Sequence, residues 1–82
     1  MITMIKAGQI YKTTTDEIIV ITQSEPQEKY LNILNIPISD FYSYINAKGE
    51  IGTICELELL KSVLIAEYPT WQESVNSKEF NE

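Results

Sequence analysis

The chain has no histidine and no arginine, and its one cysteine is Cys55. Each absence removes a class of chemistry. Without an imidazole, the chain cannot assemble a Ser–His or Cys–His nucleophile pair from its own residues. One thiol and no imidazole leave no zinc site within a single copy. A lone cysteine also excludes an internal disulfide, which fits a reducing compartment. The three glycines, Gly8, Gly49 and Gly52, fall in no phosphate-cradling motif. The carboxylates do not follow the calcium-loop spacing. No metal and no cofactor are therefore expected. No apolar run approaches the roughly 18 residues that cross a bilayer, and residues 1–6 lack the apolar core of a signal peptide. The expectation is a cytoplasmic protein with no membrane partner.

Cations are scarce as well. Twelve carboxylates stand against six lysines, for a net charge of −6. The imbalance is uneven: residues 1–24 are neutral, residues 25–48 carry −1 and residues 49–82 carry −5. Such a surface repels phosphate backbones, so direct nucleic-acid binding is not expected, while a basic protein partner fits. A small-barrel ribonuclease would need positive groups to stabilise developing phosphate charge, and this chain offers few.

What is present points to sheet. Eighty-two residues form one domain, 1–82. Residues 6–12, with Gly8 as a punctuator, lead through Thr13, Thr14, Thr15 and a turn at Asp16 into Ile18-Ile-Val-Ile21. Four consecutive aliphatics, mostly β-branched, predict a strand covered on both faces, and the two segments read as a hairpin. Residues 30–36 predict a further strand that stops before Pro37. The alternative is a helix at 25–35, with Ser24 and Gln27 forming a capping box and Pro26 in its first turn.

Residues 41–45 are aromatic and β-prone. Asn46-Ala-Lys-Gly49 is a turn signal, and residues 50–55 return as the second arm of a hairpin. Glu and Leu dominate from Cys55 to Leu60 and predict a single helical turn. A last short strand follows over residues 62–66. The segment from Pro69 to Phe80 predicts a C-terminal helix: Thr70 and Glu73 fit a capping box, and Trp71 and Val75 share a face. So short a helix needs tertiary contact to persist, and Trp71 is expected to pack on an open end or face of the sheet. The fold class is mainly β: a small SH3-like antiparallel barrel of about five strands with a short C-terminal helix. The alternative is an α+β sheet carrying the 25–35 helix.

Two stretches carry a resemblance. Residues 5–12 with the strand that follows resemble the start of small SH3-like barrel proteins. Leu64-Ile-Ala-Glu-Tyr-Pro-Thr-Trp-Gln-Glu-Ser-Val-Asn-Ser-Lys-Glu-Phe80 resembles the tail of short proteins encoded by phages and prophages of low-GC Gram-positive bacteria. The tail spans about a fifth of the chain. The resemblance implies a phage origin and action in the host cytoplasm, with no defined activity and no catalytic residues. Residues 1–3 are expected to be an extension ahead of a start at Met4.

The remaining candidates are weighed on their own chemistry. Cys55, in an apolar context, reads as an inert packed thiol. Glu56 and Glu58 would share a face only in a strand, and nothing pushes their pKa values apart as an acid–base pair requires. Tyr42 and Tyr44 share one face of their predicted strand, with Phe41 and Ile45 on the other. They line either a peptide groove or the core. The reading that follows is a non-enzymatic interaction module, monomeric or homodimeric. Its candidate partner-binding residues are Tyr42, Tyr44, Glu50, Glu56 and Glu58. The alternatives are an acidic mimic of nucleic acid, using Glu50, Glu56, Glu58 and Glu67 against a basic site, and a structural oligomer built through strand edges.

Overall fold

A computed structural model of the chain describes residues 5–23, 27–31 and 36–81. Its elements run β1 (Gln9–Lys12), β2 (Ile18–Ile21), β3 (Gln27–Leu31), β4 (Ile36–Asn46), β5 (Ile51–Cys55), α1 (Glu56–Lys61), β6 (Val63–Glu67), α2 (Trp71–Val75) and α3 (Lys78–Asn81). The expected extension at residues 1–3 lies outside the described residues.

Every pairing is antiparallel. β1 sits between β2 and β6. β4 is the long central strand. Its residues 44–46 pair with β2, its residues 36–41 with β3, and its residues 41–45 with β5. Phe41 faces both Gln27 and Cys55, so β3 and β5 lie on opposite edges of β4, and β2 and β3 follow one another along the same edge. Counting β2 and β3 as two halves of one such run gives five strands, a helical turn before the last, and helices outside. This is the topology of a small SH3-like antiparallel barrel. β5 and β6 do not pair among the described residues, and α1 connects them.

Two hydrophobic clusters lie on the two sides of the sheet. Inside the barrel, Ile5, Tyr11, Ile19, Ile21, Tyr42 and Leu59 pack together, with Tyr44 and Ile54 against them. Outside, Ile10, Val20 and Phe80 pack with Ile18, Ile45, Ala66, Tyr68, Trp71 and Val75. Alternation along β2 explains the split: Ile19 and Ile21 point inward, while Ile18 and Val20 point to the helices. The expected strand covered on both faces is therefore Ile18–Ile21, and each fully buried aliphatic contributes about 1.5–3 kcal/mol.

The tail supplies the outer cover. Thr70 caps α2, its hydroxyl accepting from the Glu73 N–H at 3.2 Å. The expected single helix to Phe80 is instead two. Asn76 ends α2, Ser77 follows, and α3 begins at Lys78. Ser77 Oγ donates to the Ser74 carbonyl at 2.6 Å. Asn81 Nδ2 donates to the Val75 and Ser77 carbonyls at 2.6 and 2.8 Å. Side chains thus reach the Ser74 and Val75 carbonyls at the break, while the Ser77 carbonyl also keeps its helical Asn81 N–H at 3.2 Å, and Phe80 lies in the outer cluster.

The segment before β4 also differs from expectation. Residues 27–31 are strand, so the alternative helix at 25–35 does not form there; residues 25–26 and 32–35 lie outside the described residues. Nor does the chain break at Pro37. β4 passes through it, with Pro37 opposite Tyr30 beside a register shift between Lys29 and Tyr30. A proline second in its strand, next to a bulge, is where a sheet tolerates the missing N–H. The expected separate strand at 41–45 is the second half of β4. The radius of gyration is 13.0 Å, above the about 12 Å of a compact chain this long. The principal-axis extents are 44 × 30 × 24 Å, and the far half of the β3–β4 ribbon pairs with no third strand among the described residues.

Candidate functional site

A six-residue helix can bury one face. In α1 that face belongs to Leu59, which reaches the barrel interior and is 2% exposed. Leu57 and Leu60, three apart and so on a common face, point away and are 62% and 55% exposed. The chain then enters β6, where Val63 is 63% exposed and Leu64 and Ile65 also stand out of the core. β6 pairs with β1 alone among the described residues, so its outer edge is open. Between Ile10 and Tyr11 the register with β6 shifts: Ile10 faces Ala66 and Tyr11 faces Leu64, which leaves Ile65 as a bulged residue. Five large aliphatics thus stand exposed within nine consecutive positions, with Leu60 and Leu64 on one recess and Ile65 turned toward Ile18 and Phe80 on the helix side. Beside them is a recess of about 120 Å³ lined by Ile5, Tyr11, Leu59, Leu60, Ser62 and Leu64.

Charges border this surface. Glu56 is half-buried and Glu58 exposed in the first turn of α1, where the helix N-terminus favours acids, and Lys61 closes its last turn. Glu67 ends β6. Its carboxylate lies 3.5 Å from Gln9 Nε2. Gln9 is itself buried, its Oε1 accepting from the Tyr11 hydroxyl at 2.9 Å and the Lys6 N–H at 3.0 Å. The Tyr11 phenol is pushed above its ordinary pKa by burial first, then by the negative charges of Glu67 and ionised Tyr42.

The sequence-predicted residues do not gather into one site. Tyr42 is in the barrel core and 6% exposed, so it cannot line an open groove with Tyr44. Tyr44 is half-buried and lies against Gly52, its cross-strand neighbour; a Cβ on Gly52 would meet the Tyr44 hydroxyl at 2.8 Å. The pair does share a face, as expected, and that face is the core. Glu50 belongs to a different place, the β4–β5 turn. There Asn46 Nδ2 donates to Glu17 at 2.8 Å and to Glu50 at 3.0 Å, while its Oδ1 accepts from the Lys48 and Glu50 N–H groups. These carboxylates act as acceptors that fix a turn.

Glu56 and Glu58 border the apolar surface from one short helix and, two apart, do not share a face. Cys55 is the N-cap residue of α1 and is half-buried. Among the described residues no three His, Cys, Asp or Glu side chains stand close enough to hold a metal ion, and no helix is long and apolar enough to cross a membrane. Leu57, Leu60 and Val63–Ile65 were not legible as a surface. Their signal is the density of aliphatics between Leu57 and Ile65, more than one helical turn and one edge strand can turn inward.

No family model, no curated protein and no solved structure matches the chain.

Proposed function

We propose that this is a non-enzymatic protein-interaction module whose binding surface is the outer side of α1 and β6. The observation that carries the reading is the run of exposed Leu57, Leu60, Val63, Leu64 and Ile65 with an adjoining recess. Contiguous apolar surface on a small domain costs solubility and marks a place of contact. Its border is mainly acidic, with Glu56, Glu58 and Glu67 against Lys61, and residues 49–82 carry most of the net charge. The partner this fits is a basic protein that presents an apolar anchor: the acids steer the encounter and the aliphatics hold it. The resemblance of the tail to phage and prophage proteins supports a partner in the cytoplasm of a bacterial host.

The test uses wild-type protein and Leu57→Asp/Leu60→Asp as paired baits in lysate of a low-GC Gram-positive host. Proteins retained only by the wild type are identified and reconstituted pure. A basic protein bound at micromolar strength, more weakly as salt rises, supports the reading. Equal retention by both baits, or no partner at that strength, overturns it.

A further inference from the structure

The recess beside α1 has buried and exposed walls. Ile5, Tyr11 and Leu59 form its floor and belong to the barrel core. Leu60 and Leu64 form its rim and are 55% and 40% exposed. Both hydroxyls of the lining are engaged within the chain. The Tyr11 hydroxyl donates to Gln9 Oε1 at 2.9 Å, and the Ser62 hydroxyl donates to the Glu58 carbonyl at 2.8 Å. The Ser62 N–H is bound as well, to the Leu59 carbonyl at 3.0 Å. A carbonyl or carboxylate entering the recess would lose its water and find no side-chain donor in return. An aliphatic group carries no such penalty and meets Ile5, Leu59, Leu60 and Leu64.

We propose that this recess is a socket for one aliphatic side chain, of leucine or isoleucine size, which the protein partner presents beside basic residues. The inference deepens the proposed function and rests on it. Size sets the upper limit. An apolar cavity of roughly 150 Å³ takes a benzene ring, and this recess has about 120 Å³. A branched aliphatic chain fits that space, and the rings of phenylalanine and tryptophan do not. The floor is formed in advance, because Gln9 holds the Tyr11 hydroxyl and is itself held by the Lys6 N–H at 3.0 Å. A rigid floor reduces the ordering that binding requires. A buried centre ringed by exposed aliphatics is also the arrangement in which one anchor supplies most of the affinity. Charge sets the anchor's neighbours. Behind Tyr11, Gln9 Nε2 lies 3.5 Å from the exposed Glu67 carboxylate, and Glu56 and Glu58 stand in the first turn of α1 against Lys61 in its last. Lysine or arginine beside the anchor complements that border.

Blocked pentapeptides with a lysine at each end and one variable central residue test this without any host protein. Binding to the purified chain is followed by the NMR shifts of the Ile5, Leu59 and Leu64 methyl groups. The leucine and isoleucine peptides should bind with millimolar strength and move those three signals. The alanine peptide should bind about tenfold more weakly or worse, since it leaves the recess unfilled. Phenylalanine and tryptophan peptides should leave the three signals in place. Leu64→Ala, on the exposed rim, should keep the circular dichroism of the wild type, weaken the leucine peptide and admit the phenylalanine peptide. That exchange of preference is a change which mere loosening of the fold would not produce. No movement of the lining methyls with any peptide overturns the proposal. So does equal binding of the alanine and leucine peptides, entry of the aromatic peptides into the wild type, or a Leu64→Ala variant with unaltered preference. A host protein released by Leu57→Asp/Leu60→Asp but indifferent to Leu64→Ala would sink the socket and leave the proposed function standing. A leucine peptide seated in the recess of a chain that retains no host protein would do the reverse.

Discussion

The hydroxyl of Ser74 donates a hydrogen bond to the main-chain carbonyl of Gly8, joining residues 66 positions apart. The same carbonyl accepts from the Tyr68 N–H at 3.1 Å. One oxygen at the start of β1 thus receives both the end of β6 and the first turn of the C-terminal segment. Ser74 has no exposed surface. Ser74→Ala should cost about 1 kcal/mol, because the carbonyl keeps its second donor and is not orphaned. In a domain this small that lowers the melting temperature by about 4–8 °C. Thermal melts followed by Trp71 emission and by circular dichroism should shift together, since the segment is packed on the sheet.

Gly8 permits the contact by its backbone. Its φ is +98°, and a Cβ there would lie 2.2 Å from the Tyr68 carbonyl oxygen. Gly8→Ala therefore meets both an unfavourable conformation and a main-chain clash that no rotamer relieves. The expected loss is roughly 2–5 kcal/mol, larger than for Ser74→Ala. Urea titration should show the midpoint falling. Gly49→Ala is the control, because Gly49 also has positive φ but open space around it; it should cost about 1–2 kcal/mol.

Phe80 closes the outer cluster although it lies two residues from the chain's end. It is 7% exposed and packs in one cluster with Ile10 and Val20. Phe80→Ala should cost about 3–5 kcal/mol, enough to leave a small domain near its unfolding threshold. Trp71 packs against the same cluster, so its emission should shift to the red as the segment loosens. An unchanged spectrum and midpoint would mean that the helices are not part of the fold's cooperative unit.

The parts of this fold that were legible in the sequence are those where one physical effect dominates. Ile18–Ile21 has no polar residue to turn to water, so both of its faces must be covered. Thr70 with Glu73 signals a cap because a hydroxyl before a helix has an obvious N–H to satisfy. Asn46–Gly49 signals a turn because Gly49 accepts positive φ. Two features depend on geometry that hydropathy does not encode. Pro37 reads as a stop, yet it sits where the ladder is already irregular. Leu57, Leu59 and Leu60 are chemically identical, and only the orientation of α1 decides that Leu59 enters the barrel while the others stay out. Tyr42 and Tyr44 were correctly placed on one face, but which side of a strand becomes the interior depends on where the chain closes.

Asn46 holds two carboxylates with one amide. Its side chain is 7% exposed and donates to Glu17 and Glu50 while capping the turn with its carbonyl. Asn46→Asp keeps that acceptor and replaces the amide donor with a third carboxylate. At neutral pH the loss should be about 2–3 kcal/mol, the scale of hydrogen bonds to charged acceptors. The deficit should shrink as pH falls and the introduced carboxylate protonates, since a neutral acid between two carboxylates can donate again. Chemical unfolding at pH 7 and pH 4 gives the comparison; a deficit equal at both would refute the charge explanation.

The Tyr68 hydroxyl donates to the Glu79 carboxylate at 2.5 Å, tying the end of β6 to α3. This bond holds Glu79 below its ordinary value of 4.5, with help from a backbone N–H, Ser77 and Lys78. It also holds Tyr68 above its ordinary 10.0, because the neutral phenol is the donor. The two shifts act at opposite ends of the pH scale. Glu79, depressed in the folded state, contributes stability above its unfolded pKa and loses it as pH falls through the folded one. Tyr68, raised in the folded state, contributes stability below its unfolded pKa and loses it as pH rises through the folded one. Tyr68→Phe removes both effects and keeps the ring. The difference in stability between wild type and Tyr68→Phe should therefore be level across the middle of the scale. It should narrow below about pH 4.5 and again above about pH 10. Urea midpoints measured across that range would show it, and a difference that stays constant at both extremes would mean the hydrogen bond contributes nothing to folding.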